Sequence, residues 1–100
     1  MISSREREML REIRRGIRLA LVHAELHHWD EVISICLGIY SQHASGGGEV
    51  TFEVRNLLAS LANTTPSDLR RNAAMRAAAV RRLEETKTLI GESLVTITDH

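Results

Sequence analysis

Residues 63–85 read NTTPSDLRRNAAMRAAAVRRLEE, and this stretch organises the reading of the whole chain. Thr65 is placed to act as an N-cap, its hydroxyl accepting an orphan backbone N–H, and Pro66 falls at the first helical position, where a missing donor costs nothing. Asp68 then sits in the first turn, favourable toward the helix dipole. Downstream, Leu69, Ala73, Arg76, Val80, Leu83, Lys87, Ile90 and Leu94 alternate spacings of four and three, the seam of a helix packed against others, with Arg76 and Lys87 as interruptions. The alanines at 73, 74, 77, 78 and 79 would let a partner helix come close, and they are also simply the best helix formers.

One hundred residues suit a single domain. With only Trp29, Tyr40 and Phe52 as aromatics, the core has to be aliphatic and alanine-rich, which favours helices over a sandwich. The formal net charge is +0, yet it is unevenly spread. Residues 1–18 hold Arg5, Arg7, Arg11, Arg14, Arg15 and Arg18 against Glu6, Glu8 and Glu12, and residues 69–82 hold arginines at 70, 71, 76, 81 and 82 with no acid among them. Residues 19–68 answer with Glu25, Asp30, Glu31, Glu49, Glu53 and Asp68 against Arg55. Such polarity can steer a partner into place, whereas overall neutrality argues against a protein that coats nucleic acid by charge alone.

The single cysteine, Cys36, permits no internal disulfide and is compatible with a reducing compartment. The first residues carry no secretory pattern and the apolar runs are too short to span a membrane, so the expectation is a cytoplasmic protein.

Ahead of the central stretch, Ser3 with Glu6 makes a capping box, and Met9, Leu10, Ile13, Ile17, Ala20, Leu21 and Ala24 share one helical face, predicting a first helix from about Ser4 to about His28. Asp30 can cap a second helix carrying Val32, Ile33, Cys36, Ile39, Tyr40 and His43, so that residues 1–44 form an antiparallel hairpin. The SGGGE run gives a flexible connection over 45–50. Thr51 can cap a third helix with Val54, Leu57, Leu58, Leu61 and Ala62 on its buried face, and a strand through Val50, Phe52 and Val54 competes with it. A helix pair and tail fill 51–100. Gly91 is a candidate helix stop, leaving Leu94 to Thr98 with strand-like character and Leu89-Ile90 as their pairing partner. The predicted fold is all-α: four helices in one domain, beginning with the hairpin, with a small β element at the C-terminus.

Candidate chemistry is sparse. His23 and His27 lie one helical turn apart, a spacing with which two imidazoles can grip a metal; the plainer account is surface histidines near a helix C-terminus, and no metal site or cofactor is expected. Cys36 falls on the apolar face of helix two, where a thiol is inert, and no nucleophile motif or phosphate loop stands out, so no enzyme is expected.

Two resemblances follow from particular strings. HHWDEVI, residues 27–33, resembles the turn of a tetratricopeptide-type hairpin or of small flagellar and type III secretion chaperones. From Phe52 onward the order of elements resembles a winged helix-turn-helix, the fold of many transcription regulators. There VRNLLASLANTTPSDLRRN stands for the first helices, residues 76–85 for the recognition helix and LIGESLVTIT for the wing. In a second register LASLANTTPSDLRR is itself the motif, with its recognition helix starting at Pro66. The resemblance implies DNA contacts from Arg76, Arg81 and Arg82.

Weighed together, these features predict a non-catalytic regulatory protein that binds a larger protein or nucleoprotein complex stoichiometrically, as an inhibitor or adaptor. That profile is similar to small phage-encoded inhibitors such as anti-CRISPR proteins; a DNA-binding regulator is the alternative. Glu25, Asp30 and Glu31 are the candidates for meeting a basic partner surface, and Arg70, Arg71, Arg81 and Arg82 for meeting an acidic one. Self-association as a homodimer through the alanine-rich seam is a further expectation.

Overall fold

An aliphatic stripe recurs along the first helix because the sequence from Ser4 repeats apolar residues every three or four places, and the computed structural model, which describes residues 4–42 and 49–98, folds it accordingly. Helix α1 (Ser4–Glu25) buries Leu10, Ile13, Ile17, Ala20 and Ala24. Helix α2 (Trp29–Gln42) buries Val32, Ile33, Cys36 and Ile39, and α3 (Glu49–Ala62) buries Val54, Leu58 and Leu61. The short α4 (Pro66–Arg71) contributes Leu69, and α5 (Ala73–Thr98) contributes Ala79, Leu83 and Ile90. These side chains form one continuous core. Fully burying each large aliphatic is worth about 1.5–3 kcal/mol, so the core is the main source of stability.

The hairpin of α1 and α2 is antiparallel: a Cβ built on Gly16 would meet Ile39 Cδ1 at 2.9 Å, which places the middle of α1 beside the far end of α2. The close approach there depends on glycine having no side chain. Helix α1 packs against α2 and α5, and α3 also packs against α2 and α5, so α1 and α3 occupy opposite corners of the bundle. Helix α4 closes one end, touching α2 and α5. The radius of gyration, 13.5 Å, is near the value expected for a compact chain of this length.

Helix α1 stops three residues short of the predicted His28 because His27 takes a left-handed backbone, φ 60. The turn is a Schellman arrangement: His28 N–H donates to the His23 carbonyl at 2.9 Å and His27 N–H to that of Ala24 at 3.1 Å. Helix α2 then begins at Trp29, one residue before the predicted cap Asp30. Thr51 lies inside α3, which starts at Glu49, so it does not cap that helix, and 50–54 is helical, with no strand. Ser3 of the capping box, His43 and residues 45–48 of the connection lie outside the described residues.

Two corrections concern the second half. The described residues hold five helices in place of the predicted four, because the chain breaks at Asn72 (φ −124, ψ 107) and divides the expected long helix into α4 and α5. No β element forms among the described residues, since α5 continues through Gly91 to Thr98. Gly91 does not end the helix. The Arg14 guanidinium lies beside it, its Nη2 3.5 Å from where an added Cβ would stand, an ordinary contact. Local β propensity in Val95 to Thr98 yields to continuation of a helix that is already nucleated.

The seam of α5 holds as predicted at Leu83 and Ile90, with Leu94 packed against the core, and differs where Ala79 and Thr86 take the places read for Val80 and Lys87. The inward line runs through Ala79, Leu83, Thr86 and Ile90, leaving Arg76, Val80 and Lys87 on a half-buried flank. Thr86 is fully buried and its hydroxyl donates to the Arg82 carbonyl at 2.7 Å, so a residue that reads as polar occupies a core position without an unpaired donor.

The two glycines of the hairpin should respond oppositely to alanine. An added Cβ at Gly38 meets nothing within 4 Å, so Gly38→Ala is expected to raise unfolding free energy by about 0.5–1 kcal/mol through helix propensity. Gly16→Ala should gain less or lose stability, because Ile39 must move. Urea unfolding of both variants checks the difference.

Candidate partner-binding surface

The end of the bundle closed by α4 gathers most of the charged residues singled out in the sequence, and helix termini explain why they stand there. Thr65 caps α4, its Oγ1 accepting from Asp68 N–H at 3.2 Å, with Pro66 in the first turn as expected. At the other end of α4 the carbonyls of Leu69 and Arg70 have no helical continuation. Arg76 supplies it: its Nη1 donates to both, at 2.9 and 2.8 Å. Asn72 closes the junction, its Oδ1 accepting from Met75 N–H at 3.1 Å to cap α5. Helices α4 and α5 are thereby held in a fixed bend.

Arg76 is therefore occupied inside the fold, its guanidinium donating to two backbone carbonyls. Arg71, Arg81 and Arg82 are exposed. Arg70 Nη2 lies 2.5 Å from Asp30 Oδ1, bridging α4 to the first turn of α2, with both side chains more than half exposed. Such a pair contributes at most about 1 kcal/mol, but it joins two residues expected to serve opposite partner surfaces. Glu31 is exposed beside Asp30 in that first turn, and Glu25 is the exposed last residue of α1.

Behind the arginines lies a groove between α3, α4 and α5. Ser60, Leu61 and Thr64 form one wall, Leu69 the end, and Met75, Ala78, Ala79 and Arg82 the other wall, around a volume of about 190 Å³. The alanines create it by filling so little space. Its volume is several times the ~30 Å³ share of one water and suits an inserted apolar side chain. Arg82 puts a positive charge at its rim.

His23 and His27 do not converge. The left-handed turn carries His27 to the edge of Trp29, ring centroids 6.0 Å apart, and His23 meets His28 instead, Nδ1 to Nδ1 3.3 Å. That pair joins the first and last residues of the Schellman turn, where a side-chain contact commonly accompanies the backbone motif. Among the described residues no three metal-binding side chains come together, and no helix is long and apolar enough to cross a membrane.

Cys36 is fully buried, and burial pushes its thiol up from 9.0 to about 12. The segment LIGESLVTIT, which the helix-turn-helix resemblance implies as a wing, is part of α5, and α4 is six residues long.

Sequence reasoning missed three features of the surface. Met75 lines the groove though it sits among alanines. Arg55 stacks over Tyr40, its guanidinium carbon 5.6 Å from the ring centre, tying α3 to α2. Leu19, Val22 and Leu26 are 51, 53 and 57% exposed on the outer side of α1 and its turn, at a four-three spacing legible in the sequence but overshadowed by the stronger inward stripe.

Arg76→Ala should cost about 1–2 kcal/mol by stranding the α4 carbonyls, measured by thermal or urea unfolding. The raised pKa of Cys36 makes its thiol a neutral, shielded group in the fold, so disulfide-exchange reagents should label it at rates set by unfolding. Because the unfolded thiol ionises near 9 and the folded one near 12, the stability contributed by keeping it protonated is complete below pH 9. It declines above that by on the order of 1 kcal/mol per pH unit, which urea titrations at pH 8 and 10 would reveal. Compared with family models, with curated proteins and with solved structures, the chain matches none.

Proposed function

We propose that the protein is a non-catalytic interaction protein of inhibitor or adaptor type, which docks a larger protein or nucleoprotein complex through the groove between α3 and α5. The observation that carries this reading is the coincidence of an open apolar notch with a cationic rim: Leu61, Leu69, Met75 and Ala78 line it, and Arg82 borders it. That combination fits an acidic segment of a protein partner that inserts one apolar side chain, the charge guiding encounter and the apolar contact slowing release. Arg71 and Arg81 are exposed cations outside the lining of the groove. The acidic residues Glu25 and Glu31 lie outside the groove, and Asp30 is engaged by Arg70. The inaccessible, protonated Cys36 supports the non-catalytic part of the reading. A cytoplasmic setting and a phage or bacterial regulatory role belong to the same proposal.

Affinity purification of the tagged full chain, compared with Arg81→Glu/Arg82→Glu and with Ala78→Asp, tests it. A stoichiometric protein partner should be retained by the wild type and lost, by roughly a hundredfold in affinity, with either variant. Both changes lie on exposed positions, so helical circular dichroism should be preserved. Binding to free duplex DNA that falls steeply with salt and disappears on changing Arg81 and Arg82 to alanine would favour the DNA-binding regulator instead.

A further inference from the structure

The outward face of α1 carries a second four-three repeat, made by Glu8, Glu12, Arg15, Leu19, Val22 and Leu26 and turned directly away from the core stripe. Its first half is charged and its second half apolar. Single exposed leucines are ordinary, but Leu19, Val22 and Leu26, each more than half exposed, form one line at the spacing by which two helices interlock.

Charge decides what covers that line. Arg18 and Glu25, both exposed, lie on the same edge of it, four places before Val22 and three places after. They are seven residues apart on one helix, about 10.5 Å along its axis, too far to pair with each other. In an antiparallel pair of helices, residues on the same edge face one another. When a second α1 lies antiparallel with the two-fold axis near Val22, Leu19 of each copy falls beside Leu26 of the other, and Arg18 of each beside Glu25 of the other. One placement thus satisfies the apolar line and both charges, and the symmetry repeats each contact. In a parallel placement each edge would face the other edge of the partner, so Arg18 and Glu25 would not meet.

We propose that α1 pairs antiparallel with α1 of a second copy of this chain, through Leu19, Val22 and Leu26 and two symmetric Arg18–Glu25 contacts. One helix face is smaller than the ~800 Å² per partner buried in a standard interface, so the pairing is reversible and concentration-dependent. Since α1 and α3 occupy opposite corners, the pair leaves the α3–α5 groove open on each copy. The surface differs from the alanine-rich seam of α5 suggested by the sequence, and it stands whether or not the groove binds a partner.

Sedimentation velocity on the full chain from roughly 1 µM to 1 mM reads it out. The wild type should pass from monomer to dimer across that range. Arg18→Glu and Glu25→Arg should each weaken pairing roughly tenfold or more by setting like charges together, and the double variant Arg18→Glu/Glu25→Arg should recover it. Recovery requires a second copy, because the two residues cannot meet within one helix. Val22→Glu, which opposes two acids at the axis, should abolish the dimer, and Leu19→Gln is a milder check should the former disturb helical circular dichroism. Arg81→Glu/Arg82→Glu should leave dimerisation unchanged, separating this surface from the groove. A wild type that stays monomeric throughout, or a double variant no better than the single ones, overturns the proposal.

Discussion

Every place where one helix gives way to the next leaves backbone N–H and C=O groups without a helical partner, and the end of this bundle near α4 is built around answering them. The Arg76 guanidinium donates to the Leu69 and Arg70 carbonyls of α4, Asn72 accepts the Met75 N–H of α5, and Thr65 accepts the Asp68 N–H of α4. With those satisfied, Leu69 can enter the core and the bend between α4 and α5 becomes fixed. The groove exists because of that bend. An unbroken helix from Pro66 would carry Leu69 and Met75 along one straight rod and could not close the space beside α3.

The same demand shapes the turn between α1 and α2. His27 accepts a left-handed backbone so that His28 and His27 can return their N–H groups to α1, and the tight turn brings α2 back along α1. Gly16 then lets Ile39 approach to van der Waals contact. With few aromatics, the core gains its density from such close helix approaches and from interdigitated leucines, isoleucines and alanines.

The all-helical class and the buried faces of α1, α2 and α3 were legible because apolar residues recur there at three and four places without competition. Thr65 and Pro66 were legible as a start because their chemistry is local. The break at Asn72 was not: asparagine follows two arginines and precedes an alanine-rich run that reads as continuous helix, and the break is favourable because Asn72 caps α5 while Arg76 takes the carbonyls of α4. One inward position of α5, Thr86, was missed for a related reason. Thr86 counts as polar in any apolar-spacing reading, and its hydroxyl becomes acceptable in the core only by bonding to the preceding turn. The C-terminal strand was misread from β-branched residues whose preference gives way to an established helix. Of the surface residues, the sequence located the arginines but could not tell that Arg76 turns inward, that Arg70 meets Asp30, or that Met75 borders a cleft.

Helix α4 is too short to persist by its own backbone bonds, since isolated helices of even twice its length are marginal in water. Its order is borrowed from Thr65, Leu69 and Arg76. The cleft beside it is therefore a property with its own thermodynamics: the wall formed by Leu69 is present only in the fraction of molecules in which this single turn and a half is formed. Any molecule that fills the space binds that ordered fraction alone, so occupancy and local folding are linked, and a substitution that loosens Arg76 from its carbonyls lowers affinity at a site it never touches.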